Sequence, residues 1–416
     1  MTALVGVLNK RGAAIAADSA MTVFGNGSSK IYNNEQKIFP LSDKNPIGVM
    51  ICNNLNFLTT TPWALIFELY KAERGDKKFP SLTGYVEDFM EFLSSLKNLQ
   101  TQEEKNWYYS RDFENLLDAF RALYNDRIDE ELDKELVFPG DELARASYTY
   151  TFDILKDAIY EEEVLPLLKN FTIDKFFKEV FTPNEEFFNE ERKQFPRMKD
   201  EEWETLLKYY HRHLINDDFN PPLGSEIIFV GYGEDDIFPA SQRLFVSGMV
   251  GDKIKYKIEE ICEITHTNSA EIRPFAQTDV MLTLMKGVSP LSDREYRDAS
   301  SELGDGIINE IISLLEKEKV SPKIIQKIKD ESFKEVQERY IDRIDNFIQE
   351  NFTNGIVTTL DFFNLEEIAK MAENLIAVTN LQRHISYSEE SVGGPIEVAI
   401  ITKTGGFKWV KHYNLV

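Results

Sequence analysis

Met1-Thr2-Ala3-Leu4-Val5-Gly6-Val7, Leu8-Asn9-Lys10-Arg11-Gly12 and Ala13-Ala14-Ile15-Ala16-Ala17-Asp18-Ser19 open the chain. Two short apolar runs flank a polar break that carries Gly12, and that pattern predicts two antiparallel strands joined by a tight turn. The first strand begins at the chain start, with no leader expected before it. A second residue as small as Thr2 predicts removal of Met1. Thr2 then carries a hydroxyl nucleophile and a free α-amine on one residue. An α-amine titrates at about 7.7–8.0 and serves as a proton acceptor near neutrality. Threonine activated by its own terminal amine is an established form of covalent catalysis.

Outward from this hairpin, more short strands are expected. Met21-Thr22-Val23-Phe24 runs into a Gly25–Ser29 loop, then come Lys37–Leu41 and the apolar Ile47–Cys52, so the first fifty residues read as four strands. Pro62 is placed in the first turn of a helix that runs on through Tyr70. From residue 83 to 218 the chain turns acidic, aromatic and helical in period. Val86, Phe89, Met90, Leu93 and Leu96 share one face, as do Leu116, Leu117, Phe120, Leu123 and Tyr124. The many acids of this block read as a solvated outer face.

Strands return at Glu226–Gly233, Arg243–Gly248 and Lys253–Ile258, a β-meander. Phe275–Lys286 reads as a helix, and a polar helical stretch covers about 294–351. Leu365–Gln382 reads as an amphipathic helix capped by Asn364, with Leu365, Ile368, Met371, Leu375 and Val378 on one face. Ile396–Thr402 and Phe407–Lys411 close the chain as strands around Gly405-Gly406.

The totals bound the function. The chain has 416 residues, more than one ordinary domain or one domain with large insertions. A net charge of −24 argues against a nucleic-acid partner, which needs a basic surface. No run of about 18 or more apolar residues occurs, so no membrane span is expected. Cys52 and Cys262 are too few for a disulfide framework. A cytoplasmic protein is expected, with no membrane partner. His211-Arg212-His213 places its two rings on different helix faces and reads as surface; no metal and no cofactor are expected.

Thr2, Gly6, Gly12, Ala16-Ala17-Asp18 and Lys37-Ile38, taken in order, resemble the start of a proteasome β-subunit or its bacterial two-tier-ring relative. Val230-Gly231-Tyr232 is similar to a central strand of that family, and Gly393-Gly394-Pro395-Ile396-Glu397-Val398 to its closing strand. The resemblance spans roughly 2–74, 225–290 and 362–412. It implies an α+β fold, the four-layer αββα sandwich of N-terminal-nucleophile (Ntn) hydrolases. That core would be built from 1–82, 219–292 and 356–416, with helical insertions at 83–218 and 293–355.

The resemblance also implies roles. Thr2 would attack through Oγ1. Lys37, with Lys30 as a rival, would keep the Thr2 amine neutral, because a neighbouring positive charge lowers an amine's pKa. Asp18 would hold that lysine. Asn53 and Asn54 fall where a backbone oxyanion donor is expected, a place usually held by glycine. Met21 and Thr22 would line a strand of substrate added at an edge. Glu389 and Ser391, with Ser388 nearby, stand in for an Asp and a Ser that support the amine, while Val392 cannot supply a hydroxyl. A supporting serine before the middle helix is replaced by the segment Ile272–Ala276.

The leading expectation is a threonine-type amide hydrolase, a peptidase acting on peptide or protein substrates and forming a homo-oligomer. A catalytically silent member of the fold, used as a binding or assembly module with a partner protein at the helical insertion, is the first alternative. A small-molecule amidase is the second.

Overall fold

The computed structural model describes residues 2–25, 28–32, 35–99, 101–133, 140–217, 224–323, 325, 334–386 and 393–413. The opening hairpin forms as its sequence predicts. Strands β1 (Leu4–Asn9) and β2 (Gly12–Asp18) pair antiparallel, Leu4 opposite Ala17 and Asn9 opposite Gly12. Every residue of both is buried. Burial on both faces explains why the two runs are continuously apolar instead of alternating.

The remaining strands are β3 (Met21–Gly25), β4 (Ser28–Tyr32), β5 (Ile38–Pro40), β6 (Ile47–Asn53), β7 (Asn56–Phe57), β8 (Thr61–Pro62), β9 (Ser225–Gly231), β10 (Ala240–Val250), β11 (Lys253–Ile258), β12 (Cys262–Glu263), β13 (Ala270–Ala276), β14 (Ile396–Thr402) and β15 (Gly406–Lys411). One sheet has the order β13-β1-β2-β14-β15 and the other β11-β10-β9-β6-β5, with β12 added to β10. The pairs are antiparallel. β3–β4 and β7–β8 are separate two-stranded ribbons.

The helices are α1 (Trp63–Arg74), α2 (Leu82–Ser95), α3 (Gln102–Asp133), α4 (Gly140–Glu161), α5 (Ile173–Phe176), α6 (Glu185–Lys193), α7 (Asp200–Ile215), α8 (Thr278–Lys286), α9 (Pro290–Lys317), α10 (Lys334–Ile348), α11 (Asn354–Phe362) and α12 (Leu365–Ile385). No helix among the described residues is long and apolar enough to cross a membrane.

Three apolar clusters order these parts. Leu4, Leu8 and Ile15 of the first sheet meet Met50, Ile228 and Val230 of the second. Gly48 lets the sheets close up: a Cβ there would lie 2.8 Å from Ile15 and 2.9 Å from Ile401. The other face of the first sheet (Val5, Val7, Ala14, Ala16) packs on Met281 of α8 and on Ile368, Ala372 and Ile376 of α12. The other face of the second (Val49, Ile51, Phe229) packs on Trp63, Phe67 and Phe89 of α1 and α2. The fold is thus α+β, with antiparallel sheets stacked face to face and helices outside each. The cluster beneath the second sheet runs without a break into Tyr108, Phe113, Phe176, Phe188 and Tyr210, so the acidic helical block shares its core with the sheet.

Several expectations are corrected. The first fifty-three residues hold six strands, not four, because Ser28–Tyr32 pairs with β3. That polar ribbon lies off both sheets and has no apolar alternation to read. Phe275-Ala276 belongs to β13 rather than to a helix, which begins at Thr278 after Gln277 at φ 51°. Pro274 is tolerated there because β13 is an edge strand. Pro62 is the N-cap of α1, not a first-turn residue. Helix α12 runs to Ile385, and Val378 is 40% exposed. Asn364 does cap it, accepting from the Glu366 and Glu367 N–H groups while Glu367 Oε2 accepts from the Asn364 N–H.

His211 and His213 are not surface residues. His211 Nε2 lies 2.8 Å from the Phe171 carbonyl and its ring stacks on Phe171; His213 faces buried Asp112 at 3.6 Å. Burial lowers the pKa of His211 below its ordinary 6.5. The unfolded chain therefore binds the proton more tightly, and stability is lost as pH falls below about 6.5 toward the lower folded-state value. Urea unfolding at a series of pH values is expected to show a steeper loss between pH 6.5 and 5 for wild type than for His211→Gln. Equal slopes would refute this.

Candidate functional site

The hairpin, β5 and the segment before β14 meet at the start of β1. Asp18, at the end of β2, is 1% exposed, and Lys37, just before β5, is fully buried. Burying either charge alone costs several kcal/mol, so each needs a partner. Asp18 Oδ1 accepts from Lys37 Nζ at 2.9 Å and from the Ala3 N–H at 2.9 Å. Asp18 Oδ2 accepts from the Gly393 N–H at 3.0 Å. The Asp18 N–H in turn donates to the Ala3 carbonyl at 3.2 Å. One carboxylate therefore ties the lysine, the residue after Thr2 and the lead-in to the closing strand. Thr2 is half-buried.

Lys37 Nζ also donates to the Ala20 carbonyl, where the chain leaves β2 for the β3–β4 ribbon. An ammonium has three N–H bonds; the third has no partner among the described residues. Burial lowers the Lys37 pKa, and the Asp18 charge and hydrogen bond oppose it. Cys52 is 1% exposed and lies among the apolar side chains between the sheets. Burial pushes its thiol well up, and the Glu226 charge adds to that. It is a small buried hydrophobe rather than a nucleophile.

Met21 is half-buried and opposite Tyr32; Thr22 is opposite Ile31 in the same ribbon. Lys30 sits opposite Val23, on that ribbon rather than in either sheet. Asn53 ends β6 in the left-handed region at φ 67°, and its Nδ2 donates to Glu226 Oε1 at 3.0 Å. Asn tolerates that conformation better than most other side chains, which suits it to this position. The Asn54 N–H is already taken by the Gly224 carbonyl at 3.2 Å, so it is not a donor for a ligand. Glu389, Ser391, Ser388 and Val392 lie outside the described residues. Ala20 and Gly393 contribute main-chain groups, so the contacts they make here cannot be read from residue type.

The backbone of Asn53 gives a direct test. Asn53→Gly is expected to leave stability unchanged or raise it by up to about 1 kcal/mol, and Asn53→Val to lower it by about 1–2 kcal/mol. Urea midpoints decide; a Val variant as stable as the Gly variant would contradict the strained backbone.

Among the described residues, no group of three or more His, Cys, Asp or Glu is placed to hold a metal. The arrangement offers a buried, fixed cation beside the start of a strand. Such a cation is suited to depressing a neighbouring amine's pKa or to polarising a hydroxyl.

No family model matches this chain. No curated protein matches it either. Among solved structures it is similar to the Gly-1 mutant of Anbu from Hyphomicrobium sp. strain MC1, at 9% identity over 99% of this chain and 85% of that one. The TM-score is 0.29, too low for that likeness to carry an argument about fold or function.

Proposed function

We propose that this chain is a threonine-type amide hydrolase, a peptidase built on an Ntn-type αββα sandwich, with Thr2 as nucleophile once Met1 is removed. One observation carries the reading: a single buried oxygen of Asp18 accepts from both Lys37 Nζ and the N–H of Ala3, the residue joined to Thr2. A buried lysine–aspartate pair is weak as a stabilising device. Its placement against the first strand's opening residues makes sense if the charge acts on Thr2. In this reading the sandwich comprises 1–82, 219–292 and 356–416, and the two helical insertions shape substrate access or contacts between copies.

The chemistry follows from the residues. Lys37 keeps the Thr2 amine neutral by like charge. Its third N–H, unpartnered among the described residues, would be taken up by Thr2 Oγ1 once Met1 is removed. The amine takes the Oγ1 proton as Oγ1 adds to the scissile carbonyl. The tetrahedral oxyanion is met by backbone N–H near Asn53. Collapse breaks the C–N bond, the leaving amine takes the proton, and a Thr2 ester remains. Water, deprotonated by the same amine, then hydrolyses the ester and restores Thr2. Met21 and Thr22 border an extended substrate, as an added strand.

Intact mass of the purified chain and labelling with an epoxyketone or β-lactone test the proposal. Loss of Met1 and one covalent adduct at Thr2 are expected. A retained Met1, or a processed chain that neither labels nor cleaves peptides, would instead favour a silent binding module.

A further inference from the structure

Tyr340, Ile341, Ile344, Phe347 and Ile348 recur at helical spacing in the otherwise polar helix α10. An apolar face of that kind is one that a helix covers against a neighbour. Its neighbours cover it only in part: Tyr340 is 50% and Phe347 59% exposed. Between the end of α8, the first turns of α9 and this face lies a cavity of about 340 Å³, the size of a small-molecule site. Gly287 closes α8 in the left-handed region at φ 71°, and the Phe352 ring lies against its α-carbon, where a Cβ would be 2.5 Å away. Phe347 meets Phe352 edge-on, 6.4 Å between centroids with 66° between planes. On another wall, Arg297 of α9 binds Asp293 at 3.2 Å and Asp345 of α10 at 2.5 Å, which ties the two helices together. The walls are thus held in place without a ligand.

Shape and charge select the occupant. Phe352 is also a wall of a second apolar cavity, of about 430 Å³, bordered by Ile356, Leu360 and Met371. Two apolar spaces that share one ring suit a flexible chain better than a compact body. The charged residues of the first cavity are Lys286, Asp293 and Arg297. Arg297 is already held by carboxylates, whereas the exposed Lys286 has no ion-pair or hydrogen-bond partner among the described residues. Tyr296 and Tyr340 add two phenol O–H groups to the same lining. In a chain of net charge −24, a cavity whose unmatched charge is a cation favours an anion. The same net charge opposes docking on an anionic membrane, so the anion is one taken from solution.

We propose that the cavity between α8, α9 and α10 binds a free medium-chain acyl carboxylate, its tail along Ile344, Phe347 and Phe352 and its carboxylate at the Lys286 ammonium. The site shares no residue with the surroundings of Thr2 and does not rest on the reading of Thr2 as the nucleophile.

The test titrates the full chain calorimetrically with octanoate, decanoate and decan-1-ol, each in monomeric solution. Decanoate is expected to bind saturably and roughly tenfold more tightly than octanoate, the worth of burying two more methylenes. Lys286→Gln is expected to weaken decanoate roughly tenfold, the size of one lost charge-assisted hydrogen bond, and to leave decan-1-ol unchanged. Ile344→Trp fills the cavity and is expected to abolish binding of both. Should Ile344→Trp fail to fold, Lys286→Gln and the alcohol still decide, because Lys286 is exposed at the end of α8. No saturable decanoate binding, or binding that both variants leave as in wild type, overturns the proposal. Decan-1-ol bound as tightly as decanoate removes the role of the carboxylate and overturns it as well. A chain that takes up no decanoate, and is a dimer as wild type but a monomer as Ile344→Trp, overturns it in favour of a second copy seated in the cavity.

Discussion

Thr2→Ala is expected to abolish covalent labelling and to lower peptide turnover by at least about 10⁴-fold, the scale seen when a hydrolase loses its nucleophile. Thr2→Ser is expected to retain activity within about tenfold, since it keeps both the hydroxyl and the terminal amine. The fold should barely respond. Thr2 precedes β1 and is only half-buried, and a surface-type substitution changes stability by about 0.5 kcal/mol or less. Activity and stability therefore part company at this residue. Adding an uncleavable residue before Thr2 should silence the chain as completely as Thr2→Ala, because an acylated amine cannot accept the proton. An adduct that forms equally on Thr2→Ala would place the nucleophile elsewhere and end the proposal.

How far residues alone reveal this site depends on which atoms do the work. The hairpin is legible because its two runs are apolar throughout and broken by Lys10-Arg11-Gly12. The α12 cap is legible because Asn364 and Glu367 have the spacing of a capping box. Asp18 and Lys37 stand out only as members of an ordered pattern, and the structure brings them together as a buried pair. What escapes is the main chain. The N–H groups of Ala3 and Gly393 and the carbonyl of Ala20 leave no mark in residue type, yet they supply three of the contacts around that pair. The Asn54 N–H shows the reverse, a backbone donor that looks available until its partner at Gly224 is seen. The β3–β4 ribbon lies off both sheets, and β13 is an edge strand interrupted by Pro274, so neither carries the continuous apolar run of the central strands.

Asp18→Ala is expected to be among the most damaging single substitutions in the chain, costing about 3–5 kcal/mol, because it strands a buried ammonium. It also removes the acceptor of two amide donors, those of Ala3 and Gly393. Against a typical total of about 5–15 kcal/mol, that loss can unfold a domain. Lys37→Met is expected to cost less. It leaves Asp18 with two amide donors, and the lost ammonium is one whose pKa burial had already lowered. The Asp18→Asn/Lys37→Met double variant is the discriminating case. It removes both charges and keeps an oxygen for the Ala3 N–H, and neutral replacements of a buried pair are often tolerated. Its unfolding free energy is expected to exceed that of Asp18→Ala, with a coupling between the two sites of about 1–3 kcal/mol in a double-mutant cycle. Strictly additive effects would show that the two groups do not depend on each other, against the shared contact at 2.9 Å. The same double variant, folded but stripped of its cation, is expected to label at Thr2 no faster than Lys37→Met. On the proposed reading, the double variant is expected to lose little stability but most of the reactivity at Thr2, the result that would tie the pair to chemistry at the start of the chain rather than to folding.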